Sequence, residues 1–345
     1  MARGGALPRL GAAMGNAADA RAQETARRLA LGFALLVALT SGLIVLGALV
    51  RAHGAGLACP DWPLCFGRLL PEMNFEVAFE FGHRAMAGGV SLIFAALLMR
   101  AWRLRPLRPL LSLAAALLAL QIVLGALTVW QLLAAWTVTS HLLTGNAFNA
   151  ICLWLMLRLR EFGAPSSALQ SNAAAESQTD AADNARRASA ATAWVSLRGW
   201  VIGAGILLLL QVALGGLVSS NYAGLACPEW PACRGGEWFP TFYGGVGLHL
   251  LHRLNGYALC AALAATALCA RRTRLARLAQ LALALGLAQL AVGVANVLLE
   301  IPVEVTALHS ALAAALVLAQ FALLREALRA QASRGEEWRS SSRAR

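Results

Sequence analysis

Long apolar runs separated by short polar segments dominate the chain from residue 29 onward. Leu29 to Val50 contains no charged residue. Pro109 to Leu157 contains no Asp, Glu, Lys or Arg and a single histidine, His141. A helix of about 20 apolar residues is long enough to cross the hydrocarbon core of a bilayer. The pattern therefore predicts eight membrane-spanning helices, at 29–50, 77–101, 107–130, 135–157, 198–220, 245–270, 275–298 and 303–326.

Composition agrees with this pattern. Of the 345 residues, 59% are hydrophobic and 13% are charged, and the mean hydropathy is +0.63. These values lie outside the range of soluble globular proteins. We therefore expect an all-α, polytopic membrane protein embedded in a lipid bilayer.

The net charge of +12 reflects how arginines are distributed around the predicted spans and does not indicate nucleic-acid binding. All 29 basic residues are arginines, and 24 of them flank the predicted spans on one side. The positive-inside rule makes that side cytoplasmic. The sequence thus predicts a multi-pass protein of a bacterial inner membrane, with both termini in the cytoplasm.

The two halves of the chain repeat each other at an offset of 168 residues. Residues 57–65, LACPDWPLC, return as 225–233, LACPEWPAC. Four further matches are Gly47 with Gly215, Gln121 with Gln289, Gly125 with Gly293 and His141 with His309. Because each half has an even number of spans, both halves have the same orientation in the membrane.

This duplication predicts two tandem four-helix bundles related by a pseudo-two-fold axis along the membrane normal. Residues 29–157 would form the first bundle and residues 198–326 the second. A flexible cytoplasmic linker at 158–197 would join them. Cytoplasmic tails would occupy 1–28, with little regular structure, and 327–345.

The outward loops after the first and fifth spans each carry a pair of cysteines, Cys59 with Cys65 and Cys227 with Cys233. The outside of a bacterial inner membrane is oxidising, so each pair is a candidate disulfide. Such a bridge would staple its loop over the bundle. The alternative is a redox-active dithiol that relays electrons during turnover.

Four histidines lie one to two turns inside the outer ends of the even-numbered spans: His83, His141, His252 and His309. Two imidazoles at one depth on facing helices are the arrangement that axially ligates haem iron in a membrane bundle. We therefore expect two haem sites near the outer surface. His53 is expected to be a solvated loop residue.

The stretch from Glu80 to Arg84 recurs at His249 to Arg253, with histidine in place of the glutamate. Ionisable groups inside spans are costly and are functional candidates. The two arginines would either contact haem propionates or snorkel to the surface without a specific partner. His249 would be a neighbour of the ligand His252, or the ligand in its place. Glu80 would be catalytic, or a helix-start carboxylate paired with its arginine.

Taken together, these features resemble the haem A synthase family. The resemblance rests on eight spans in two repeated halves, the Glu-x-x-His-Arg at Glu80, the His-Arg at His252, single histidines at 141 and 309, and Cys-Pro-x-Trp-Pro-x-Cys loops. It extends from the first span to the last.

The resemblance implies an oxidoreductase that converts the C8 methyl group of haem O to a formyl group, giving haem A for cytochrome c oxidase. Two successive hydroxylations and the loss of water would achieve this. His83 and His141 would hold the substrate haem, and Glu80 would be the catalytic carboxylate. His252 and His309 would hold a permanent haem b.

The implied partners are haem O synthase, the oxidase assembly machinery and an unidentified electron acceptor, and homo-oligomerisation stays open. One rival function is that of a di-haem b cytochrome passing electrons from quinol, which needs the four histidines but no carboxylate in one half alone. Another is that of a non-catalytic haem carrier or oxidase assembly factor.

Overall fold

The computed structural model describes residues 7–163 and 184–343, with side chains described for 20–163 and 196–329. In these ranges the regular structure is helical, with no strand longer than an isolated bridge. The long helices are α1 (Leu7–Ala52), α2 (Phe75–Ala101), α3 (Arg108–Trp130), α4 (Ala135–Phe162), α5 (Asn184–Ser220), α6 (Gly244–Ala270), α7 (Ala276–Leu298) and α8 (Val303–Arg343). A short 3₁₀ turn, Arg105–Leu107, precedes α3.

The eight predicted spans are confirmed, since each of these helices contains a segment long and apolar enough to cross a membrane. Three helices begin or end well outside the expected spans. The N-terminal segment is a correction: α1 starts at Leu7, because residues 7–28 are rich in alanine and other good helix formers. Likewise α5 starts within the expected linker, and α8 runs through the expected C-terminal tail. Residues 164–183 of that linker lie outside the described part.

Within the first half, α1 packs against α2 and α4, and α3 packs against α4. Within the second, α5 packs against α6 and α8, and α7 packs against the same two helices. The halves meet through α1 with α8, α4 with α5, and α4 with α8. In the described parts, α2 does not pack closely against α4, nor α6 against α8.

The buried apolar core lies at the end of the molecule away from the cysteine loops. In the first half it is built from the middle of α1, the end of α2, the start of α3 and the end of α4, with Phe33, Leu111, Phe148 and Leu155 fully buried. The second half repeats this placement, with Val201, Leu263 and Leu323. The four histidines lie toward the opposite end, beyond this core.

Candidate functional site

The four candidate iron ligands lie in the first two to three turns of α2, α4, α6 and α8. Each imidazole is half-buried and lies against a glycine of the preceding helix. A Cβ atom on that glycine would be 3.1 Å from Cε1 of the ring, tighter than ordinary contact. The four pairs are Gly47 with His83, Gly125 with His141, Gly215 with His252, and Gly293 with His309.

Within each half the two histidines form a pair. His83 and His141 lie close enough for their charges to interact, as do His252 and His309. Their helices are those that do not pack closely on each other. Each pair is therefore a candidate for the two axial ligands of one iron.

The hydrogen bonds of these imidazoles are incomplete. No described residue bonds the buried Nδ1 atom of His83, His141 or His309. Among the described side chains, two amides reach the rings: Gln121 lies 3.2 Å from Nε2 of His141, and Gln211 lies 3.3 Å from Nδ1 of His252. A buried nitrogen without a partner costs free energy, and coordination of iron removes that cost at one nitrogen per ring. The donor set thus fits a bis-imidazole haem.

Other kinds of metal site find less support. Among the described side chains, no three or more His, Cys, Asp and Glu residues converge in a way that could hold a metal ion. Haem iron needs only two protein ligands, because the porphyrin supplies the other four.

Glu80 lies one turn before His83, and its side chain is buried, with 4% of the residue exposed. Its Oε2 atom accepts a hydrogen bond from the backbone N–H of Cys59 at 2.7 Å, and its Oε1 atom is 2.5 Å from Nη2 of Arg84. Nη1 of this arginine donates to the carbonyl oxygens of Asp61 and Leu64, at 2.6 and 2.7 Å. Nη2 also donates to the carbonyl oxygen of Cys59 at 3.1 Å. The guanidinium of Arg84 therefore holds the cysteine loop against α2. Arg84 and the Cys59 N–H together fix the position of the Glu80 carboxylate.

The second half builds the same attachment around Arg253. This side chain donates to the carbonyl oxygens of Ala232 and Cys227, at 3.1 and 2.7 Å, and its Nε–H donates to Nε2 of His249 at 3.1 Å. Nδ1 of that histidine is 3.0 Å from the carbonyl oxygen of Ala223. Both ring nitrogens of His249 are therefore engaged, which leaves His252 as the candidate ligand.

These contacts change the expected role of the two arginines. Snorkelling without a specific partner is wrong, because Arg84 and Arg253 each donate to two or more loop carbonyls. A contact with haem propionates stays a prediction. The loop attachment was missed because backbone carbonyls carry no sequence signature, although the repeated His-Arg pair was its one available signal.

Both predicted disulfides are present, Cys59–Cys65 and Cys227–Cys233, and all four cysteines are buried. Each loop is closed by the acidic residue of its motif. Asp61 accepts from the N–H groups of Phe66 and Gly67, while Glu229 accepts from those of Gly235 and Gly236. The hydrogen bond from the Gly67 N–H is the main cause that lowers the pKa of Asp61 below its ordinary value. Hydrogen bonds from the Gly236 and Gly235 N–H groups lower the pKa of Glu229 in the same way.

His53 is not the solvated residue that the sequence suggested. Its ring is half-buried, stacks on Phe79 with centroids 4.6 Å apart, and meets Phe75 edge-on at 5.2 Å. Its Nδ1 atom is 2.9 Å from the carbonyl oxygen of Leu49. It is a packing residue between the end of α1 and the start of α2.

Comparisons with known proteins point the same way as this geometry. The sequence matches the family model COX15-CtaA, a cytochrome oxidase assembly protein, over residues 30–79 and 70–321. A heme A synthase of Shewanella oneidensis is 31% identical over 335 residues, which cover 84% of this chain and 92% of the relative. Heme A synthases of Symbiobacterium thermophilum and Alkalihalophilus pseudofirmus are each 31% identical, over 226 and 228 residues, and each is covered to 68%.

Proposed function

Because the chain belongs to the COX15-CtaA family of cytochrome oxidase assembly proteins, we propose that it is a haem A synthase. Its substrate is then haem O, whose C8 methyl group is oxidised to a formyl group to give haem A. Two successive hydroxylations and the loss of water make this conversion, so the enzyme is an oxidoreductase acting on a methyl group.

In this proposal the first half, 29–157, is the substrate half. His83 and His141 would hold the iron of the substrate haem O between α2 and α4. Glu80 shares a helix face with His83, because three residues make slightly less than one turn. Its carboxylate would then lie beside the porphyrin ring of haem O. There it would take a proton from the reacting group or stabilise developing positive charge.

The second half, 198–326, is the electron-transfer half. His252 and His309 would hold the iron of a permanent haem b. That haem supplies one-electron redox chemistry when bound, because iron porphyrin carries it and the protein orients it. Arg253 and its loop cover this site as Arg84 covers the first.

The same proposal sets the surroundings of the enzyme. Both termini lie in the cytoplasm, and the disulfide loops lie on the oxidising side of a bacterial inner membrane. The substrate is delivered by a haem O synthase, the product goes to cytochrome c oxidase assembly, and an acceptor outside this chain removes the electrons.

One observation carries the synthase assignment above the rival functions. A buried, ion-paired carboxylate lies one turn from a half-buried imidazole in the first half only, where the second half has His249. A cytochrome that only passes electrons has no need of this difference, whereas an enzyme with one reacting site does.

Acid extraction of the haems from the purified full chain tests the proposal. The chain is produced in cells supplied with haem O, and the same cells carrying an empty vector are the control. We expect haem B together with haem O, its alcohol or haem A. Haem B alone, at two per chain, would assign the protein as a di-haem b cytochrome.

A further inference from the structure

The two halves hold their cysteine loops through equivalent hydrogen bonds. Arg84 donates to the carbonyl oxygens of Cys59 and Leu64, and Arg253 donates to those of Cys227 and Ala232, which lie 168 residues further along. The side chain four residues before the arginine completes each attachment. It is Glu80 in the first half and His249 in the second.

This one difference changes the local charge. In the first half, the carboxylate of Glu80 lies 2.5 Å from Arg84, with side chains 6% and 15% exposed, so the pair is close to neutral. In the second half, His249 accepts from Nε of Arg253 and places its own Nδ1 atom against the carbonyl oxygen of Ala223. Because Nε2 accepts from Arg253, it carries no proton, so the imidazole is neutral with its proton on Nδ1. The shorter Nδ1 contact, 3.0 Å to the Ala223 carbonyl oxygen, is then the hydrogen bond, and the Cys227 N–H lies further away at 3.4 Å.

Arg253 has no carboxylate partner among the described residues. Its remaining acceptors are two backbone carbonyls. The acidic residue of the same loop, Glu229, bonds the N–H groups of Gly235 and Gly236 instead. The hydroxyl group of Tyr257 also lies near this guanidinium, and it accepts a hydrogen bond from Nε1 of Trp230. The cluster therefore keeps one positive charge that the first half lacks.

Each arginine directly follows a proposed iron ligand, His83 or His252. A positive charge in a partly buried site favours the ferrous over the ferric iron, because the ferrous form carries one positive charge less. Pairing with a carboxylate largely cancels this effect.

We propose that His249, by leaving Arg253 unneutralised, raises the reduction potential of the haem held by His252 and His309 above that of the haem held by His83 and His141. This rests on the proposed function. It gives the two halves a fixed order, in which electrons leaving the substrate half move toward the permanent haem. His249 acts through Arg253 and is a tuning residue, not a catalytic one.

The test is a redox titration, followed by haem absorbance, of the full chain purified from cells that supply haem O, so that both sites are filled. We expect two components in the unaltered protein. His249→Glu should shift the higher component to lower potential and leave the other in place, because the new carboxylate neutralises Arg253. The matched control His249→Gln is neutral and can still accept from Arg253, so both components should stay in place.

A higher component that does not move in His249→Glu, or that moves equally in His249→Gln, would overturn the proposal. If His249→Glu does not assemble with haem, Glu80→Gln is the deciding variant. Its lower component should move to higher potential, because Arg84 loses its carboxylate partner. An unchanged potential of this component would overturn the proposal. Absence of any haem component that depends on His252 would instead refute the proposed function, which keeps the two failures distinct.

Discussion

Glu80 and His249 show how much a single residue can change within a duplicated frame. Both lie four residues before an arginine, and both bond that arginine while facing a cysteine loop. One is an acid and the other an imidazole. The fold accommodates either residue, because each offers a hydrogen-bond acceptor to the guanidinium. The difference between them can therefore reflect a difference in function between the two halves.

The glycines beside the histidines give a prediction at the same scale. Gly215→Ala would place a Cβ atom 3.1 Å from Cε1 of His252, so the ring must shift. We expect a loss of about 1–3 kcal/mol in the free energy of unfolding and a weaker haem absorbance from the second half. Denaturant unfolding in detergent and haem spectra measure the two effects.

Gly203→Ala, on the same helix, is the matched control, because nothing lies within 4 Å of its new Cβ atom. It should leave the haem spectrum unchanged and stabilise α5 by up to about 1 kcal/mol. Equal behaviour of the two variants would mean that the glycine does not shape the site around His252.

Sequence alone identified candidate site residues but not the contacts that they make. Identity at an offset of 168 residues picked out His141, His309 and the four glycines, and His83 matches His252 with one residue of slip. Glu80 was picked out because the second half has His249 in its place. The repeat could not show that the two arginines bond loop carbonyls, since every residue has a carbonyl and only the folded loop selects which ones converge.

At the scale of elements, hydrophobic runs predicted the spans well and the helix ends poorly. The helices α1, α5 and α8 continue past the apolar segments, because alanine-rich polar sequence also favours helix. The cysteine loops are a second kind of element. Each combines a disulfide, a capping carboxylate and an arginine from the following helix.

The capping carboxylate makes the first loop sensitive to acid. Because hydrogen bonds from Gly67 and Phe66 hold the pKa of Asp61 below the ordinary 3.8, they stabilise the loop above pH 3.8. This contribution is lost as the pH falls through the lowered pKa. Hydrogen exchange of the Phe66 and Gly67 amides, corrected for intrinsic rates, should stay slow from pH 8 to 5 and accelerate below pH 3.8.

Asp61→Asn is the control for this acid response. It should exchange faster at neutral pH and show no added acceleration in acid, because the amide does not titrate. Acceleration that persists in this variant would assign the response to another group.

At the scale of the molecule, two contacts join residues that are each other's counterparts in the repeat. Arg51 donates from Nε to Oγ of Ser219 at 2.5 Å, and Glu161 pairs with Arg329, both at a separation of 168 residues. Counterparts meet only near a two-fold axis. One contact lies at the loop end of the helices and the other at the opposite end, which supports the predicted pseudo-two-fold relation of the halves.

The two ion pairs that Glu161 makes with α8, at the end away from the loops, should contribute unequally to the free energy of unfolding. Arg325 and Arg329 both pair with Glu161, but their side chains are 3% and 46% exposed. Arg325→Gln should cost about 1.5–3 kcal/mol, because it removes a buried guanidinium that pairs with both Glu161 and Glu326. Arg329→Gln, its exposed control, should cost about 0–1 kcal/mol. Denaturant unfolding in detergent compares them, and equal costs would contradict the burial argument.

The central claim is that Glu80 makes the first half an enzyme. Its most direct test is the haem content of Glu80→Gln, purified from cells supplied with haem O and analysed beside the unaltered chain. The variant should keep its bound haems, because glutamine can still accept from Arg84, while haem A formation falls by about 10²-fold or more and haem O or its alcohol accumulates. Haem A formed at the unaltered rate would contradict the claim.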